Sequence, residues 1–226
     1  MSSAASRRTA GLAGLAMAPV CLGLIAVSTW LQWDYLHSLG WTFEDHAEVP
    51  YPSATATGDW APVTIASFLL GALLAATLVA GLRREFRHRG ASRIATPALA
   101  VYVASFVLLA FPTDVRTEEP VTWHGWLHVA GFVGLLLSML VGYAASGAAL
   151  RGNEDWRGWR AVIGWWPLLL VLTMFTGLGL PGDTGWYLFL VLAFAWPAIV
   201  GLRLVRLAAG AQNRPLRTGA VASEVL

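Results

Sequence analysis

Two histidines four residues apart, His124 and His128, carry the strongest chemical signal in the chain. In an α-helix that spacing puts both imidazoles on one face. Helical zinc sites use the same spacing to hold a single metal ion. The segment His124-Gly125-Trp126-Leu127-His128 opens an apolar run, which places the pair at a helix N-terminus. There the helix dipole favours neutral imidazole, the metal-binding form. Asp114 lies shortly before the pair, and Asp34 and His37 lie three apart at the end of the first apolar run, on one face if that helix continues. If the helices adjoin, His124 and His128 with one or both of Asp34 and Asp114 would converge, and three such ligands would hold zinc with an open position. A set of imidazoles hydrogen-bonded to neighbouring carboxylates fits the same residues, and a proton relay is a third reading. Gly125 stands where the helical zinc proteases carry a glutamate, so the pair brings no general base with it. His37, Asp183 and Ser67 complete the candidate polar residues.

The elements that must position these groups are membrane spans. Of the 226 residues, 57% are hydrophobic and 12% are charged, and the mean hydropathy is +0.60. A soluble domain carries about 25% charged residues. Crossing roughly 30 Å of hydrocarbon takes about 20 apolar residues in a helix that satisfies its own backbone. Runs at 11–31, 62–82, 94–112, 124–149, 161–180 and 186–207 meet that requirement. The expected fold is therefore an all-α, polytopic six-helix bundle over 11–207, with tails at 1–10 and 208–226 and a long loop at about 33–61. The C-terminal tail is expected to be disordered. The first run is too long for a signal-peptide core and reads as an uncleaved span.

Arginine sets the orientation. All fifteen basic residues are Arg, and fourteen of them fall in the N-terminal tail, the second and fourth loops and the C-terminal end. Under the positive-inside rule these segments are cytoplasmic, both termini included. Asp34, Glu44, Asp45, Glu48, Asp59, Asp114, Glu118, Glu119 and Asp183 then face outward, with His37, His46, His124 and His128. Trp residues group near both ends of the spans, as interfacial belts do; only Trp196 lies deep, a position that favours helix packing. The aromatic loop at 33–61 is expected to fold over the bundle. No ionisable group lies at mid-span, which argues against an ion-coupled transporter. His88, alone in an inner loop, cannot complete a transmembrane haem relay. Cys21 reads as a small packing residue.

Several motifs join into a family likeness: Asp34-Tyr35, Tyr51-Pro52-Ser53, Gly71 with Gly81-Leu82, Phe111-Pro112-Thr113-Asp114, and His124-Gly125-x-x-His128. In these the chain resembles the bacterial and archaeal membrane family catalogued as domain of unknown function 998. The resemblance covers about residues 15–205 and implies a bundle of six or so helices with no established activity. A remoter analogy, in residue types alone, is to membrane hydrolases of the alkaline-ceramidase type, for which Ser67 would be the serine. The favoured expectation is a non-catalytic envelope protein that binds lipid or a partner. The alternative is a zinc-dependent hydrolase acting on lipid at the outer leaflet, with metal-bound water as nucleophile. Membrane lipids are the expected partners and nucleic acid is not. Small-residue runs in spans one, two and four permit close contact within one chain or between copies in a homo-oligomer.

Overall fold

The computed structural model describes residues 3–43, 51–115, 121–177 and 184–212. Among them there are helices and no strand. Six helices are long: α1 (Ala4–Leu31), α3 (Ala61–Arg83), α4 (Arg89–Leu109), α5 (Trp123–Ala149), α6 (Trp159–Gly177) and α7 (Thr184–Gln212). A short α2 (Trp33–Ser38) and single 3-10 turns at Ser53–Ala56 and Glu154–Trp156 lie in the connections. Five of the long helices, all but α6, are long and apolar enough to cross a membrane; the apolar part of α6, Trp159–Thr173, is shorter. Leucines such as Leu73 and Leu137 stay exposed on the outside of the bundle, as a lipid-facing surface requires.

Each long helix packs on the next, and α1 closes the ring against α7. The short turn between α3 and α4 makes those two helices antiparallel. Glycine lets the ring close. A Cβ on Gly201 would lie 2.5 Å from the Gly11 carbonyl oxygen, and one on Gly14 would lie 2.6 Å from that of Pro197. Gly147 meets Gly164 in the same way between α5 and α6. Gly81 faces Ala10, and Gly131 faces α4. These small residues are used for contacts within the chain.

The arginine-rich end is fastened by a buried ion pair. Glu85, fully buried after α3, accepts from Arg7 Nε and Nη2, both at 2.9 Å. Asn153 Nδ2 donates to the Glu85 carbonyl at 2.8 Å, and Trp156 Nε1 approaches its carboxylate at 3.4 Å. Arg7 also reaches Asp155 at 3.1 Å, and Arg203 donates to the Asp155 carbonyl. Arg7 therefore belongs to α1, which starts at Ala4 under a Ser3 cap, and not to a separate tail. Trp156 belongs to the core and not to an interfacial belt, and so does Trp41 near the other end. Trp30, Trp60, Trp123, Trp126 and Trp165 remain exposed near helix ends. Deep in the bundle, Trp196 stacks on Tyr143 at 3.7 Å and donates to the Ile163 carbonyl.

At the opposite end α1 stops at Leu31, and Asp34 and His37 ride on the separate α2. Gln32 makes the break. Its backbone leaves helical geometry, and its amide donates to Ser28 Oγ at 2.8 Å and to the Thr55 carbonyl at 2.9 Å. α7 continues to Gln212, and the rest of the C-terminal tail lies outside the described residues.

Candidate functional site

The chain from Phe111 to Asp114 locks onto the first turn of α5. Thr122 is the helix cap, accepting from Gly125 N at 3.1 Å. Asp114 accepts from Thr122 N at 3.0 Å and from its hydroxyl at 2.8 Å. The carboxylate sits where a side chain on residue 125 would be: a Cβ there would lie 1.9 Å from Asp114 Oδ2. That contact gives the glycine of the His-Gly-x-x-His motif its physical reason. His124 Nδ1 lies 3.1 Å from the Pro112 carbonyl and 2.9 Å from Thr122 Oγ1. Since the Thr122 hydrogen goes to Asp114, His124 is the donor to both.

His128 is buried one turn further on. Its Nδ1 is 2.7 Å from the Phe111 carbonyl, an acceptor only, so in the neutral ring this nitrogen carries the proton. Nε2 is then an acceptor, and Ser53 Oγ lies 2.7 Å from it. The serine hydroxyl donates to a ring whose tautomer and orientation the main chain fixes. That is the relation between a hydroxyl nucleophile and its base.

Ser53 starts the 3-10 turn and is held from several sides. Tyr51 shares a hydrogen bond with Thr29 at 3.2 Å, and its carbonyl accepts from Trp186 Nε1 at 3.1 Å. Burial pushes the Tyr51 phenol above its ordinary pKa against the opposing pull of the Thr29 bond, so it stays protonated at neutral pH. Thr55 bonds Thr64 of α3 at 2.8 Å and takes the Gln32 amide on its carbonyl. Tyr35 reaches Thr57 at 2.9 Å. This segment thus ties α1, α2, α3 and α7 together over the end of the ring.

Beneath it lies a cavity of about 600 Å³, within the roughly 300–1,000 Å³ of small-molecule sites. Leu22, Phe106, Leu135, Leu136 and Phe194 are among its walls, drawn from α1, α4, α5 and α7. Tyr51, Ser53, Thr113, His128 and Tyr187 contribute polar lining, and Tyr102 of α4 lines it as well. From His128 to Met139 along α5, at about 1.5 Å per residue, the lining runs roughly 16 Å.

The family model of DUF998, described as a protein of unknown function, matches residues 50–211. The chain belongs to the DUF998 family. The match takes in Ser53, Asp114, His124 and His128, and it begins after α1 and α2. No curated protein and no solved structure matches the chain.

Within this DUF998 fold, Asp114, His124 and His128 share one end of the ring but serve different bonds. Asp34 and His37 are exposed on α2 and line neither the cavity nor the shallow groove beside Asp114 and His124. His37 bonds its own helix, through Trp33, at 2.9 Å. Asp183 lies outside the described residues, as do Glu44, Asp45, His46, Glu48, Glu118 and Glu119. Among the described residues no three or more His, Cys, Asp or Glu are grouped to hold a metal ion. Both nitrogens of His128 are engaged, and the Asp114 carboxylate holds the cap. Ser67 is a packing residue: its hydroxyl donates to the Cys21 carbonyl at 3.0 Å, joining α1 to α3. The serine at the histidine is Ser53, from a segment the sequence marked only as part of a family motif.

Proposed function

We propose that this DUF998 protein is a six-span protein of a prokaryotic plasma membrane, with both termini cytoplasmic, that takes a lipid acyl chain into the cavity under Tyr51-Pro52-Ser53. The cavity is the observation that carries the reading. It is walled mostly by aliphatic and aromatic side chains, with Tyr51, Ser53, Thr113 and His128 gathered at one end, the shape of an amphiphile. Its length of roughly 16 Å along α5 is close to half of the roughly 30 Å hydrocarbon core, the depth of one leaflet. The arginines cluster at the other end of the ring, which supports an outer-leaflet cavity under the positive-inside rule. The apolar run at 161–180, which contains most of α6, supports counting a sixth span in this reading.

Native mass spectrometry of the full-length protein, released from a mild detergent, tests the reading. Wild type should retain one lipid. Leu135→Trp, which fills the cavity, should lose it, and Leu137→Trp, on the exposed face of the same helix, should keep it. Equal lipid retention in all three would overturn the acyl-chain assignment.

A further inference from the structure

We infer that Ser53 and His128 are a nucleophile and its general base, and that they cleave an acyl ester whose chain occupies the cavity. The inference rests on the acyl-chain reading for its substrate class, but its chemistry stands on separate observations. Ser53 Oγ is 2.7 Å from His128 Nε2, within the 2.6–3.2 Å at which a base takes a hydroxyl proton. The Phe111 carbonyl, 2.7 Å from Nδ1, orients the ring in the part that a carboxylate plays in a Ser-His-Asp triad. A packing serine and histidine need no cavity. These two line one, at the polar end of a long apolar space.

The step balances without a cofactor. Ser53 Oγ forms a bond to the ester carbonyl carbon as its proton passes to His128 Nε2. The tetrahedral adduct collapses, the carbon–alkoxide bond breaks, and the leaving alcohol takes the proton from the imidazolium. Water then attacks the acyl-serine through the same imidazole, releasing the carboxylic acid and restoring the serine. Protonated Tyr51, with Thr113 and Tyr187, brings hydroxyl groups to the same lining. The apolar walls select a long acyl chain over a short one, because each further CH₂ removed from water favours binding.

The full-length protein in detergent is treated with a long-chain fluorophosphonate, the modified residue is located by peptide mass spectrometry, and hydrolysis of fluorogenic long- and short-chain esters is measured. Label on Ser53, a loss of about 10²–10⁴-fold in ester hydrolysis in His128→Gln, and a preference for the long-chain ester are expected. Ser53→Ala should lose both label and hydrolysis while its unfolding midpoint stays near wild type. Should that variant fail to fold, Ser53→Thr keeps a hydroxyl on the imidazole and should hydrolyse slowly. An unlabelled Ser53, or hydrolysis unchanged in His128→Gln, overturns the pair whatever the lipid measurement shows. Labelling and hydrolysis that persist in Leu135→Trp, with no lipid retained by wild type, would sink the acyl-chain reading and leave the pair standing.

Discussion

Glu85 stands in a run of arginines and carries no sign, in sequence, of being fully buried. Its partner Arg7 is 78 residues away, and nothing local to either residue marks the pairing. Ser53 and His128, 75 residues apart, were hidden in the same way. Asp114 and the His124-Gly125 pair were legible because both sit at ends of strongly apolar runs. What joins them, a carboxylate in the space a Cβ would fill, is a contact that a sequence does not display. Two substitutions test these contacts. Glu85→Ala leaves Arg7 with only the partly exposed Asp155 as its acidic partner, and breaking a buried pair on one side costs up to about 3–5 kcal/mol; a large fall in the unfolding midpoint in detergent is expected. Gly125→Ala puts a methyl group against Asp114 and should cost about 1–3 kcal/mol. Asp114→Ala should cost about 1 kcal/mol through the cap, and the double variant should be less destabilised than the sum of the two. Strict additivity would mean that the carboxylate does not occupy that space. A strong chelator should change neither the unfolding midpoint nor ester hydrolysis, since the bonds at His128 are to Phe111 and Ser53; a chelator-sensitive activity would restore the zinc reading.

Hydropathy makes the helices legible because each span must satisfy its own backbone and face lipid on one side. The break after α1 was not legible. Gln32 leaves the helix to reach Thr55 in a later segment, a tertiary contact that overrides an otherwise helical run. The small-residue stripes were legible as stripes, but their partners were not, since glycine permits a close approach without naming the helix that makes it. The structure supplies the partner for α7. A Cβ on Gly201 meets backbone, which cannot rotate away, so Gly201→Ala should destabilise by about 1–3 kcal/mol despite a gain in helix propensity. Gly23 on α1 has nothing within 4 Å of such a Cβ, so Gly23→Ala should be neutral or stabilise by up to about 1 kcal/mol. Thermal unfolding followed by tryptophan fluorescence separates the two. If both glycines tolerate alanine, the α1–α7 contact is not the close one that seals the ring.

The whole molecule is polar along the ring axis. One end holds the Arg7–Glu85 pair among exposed arginines, and the other holds the Ser53–His128 end of the cavity. Which end meets the cytoplasm decides which leaflet supplies the cavity, so orientation belongs to the functional argument. Cys21 is the one cysteine of the chain and is buried against Ser67, so it should stay silent toward a maleimide in the folded protein. That permits single-cysteine labelling in the native background. Asp59→Cys lies in the exposed connection before α3, and Arg89→Cys at the exposed start of α4, on opposite ends of the ring. With a membrane-impermeant maleimide on intact cells, Asp59→Cys should label fully, and Arg89→Cys should label only after the membrane is opened. The reverse pattern would turn the cavity to the inner leaflet. The Ser53–His128 chemistry would be unchanged, but its substrate would be an inner-leaflet lipid. Labelling of both positions in intact cells would contradict a spanning arrangement of α3, because a helix that crosses the membrane must shield one of its two ends.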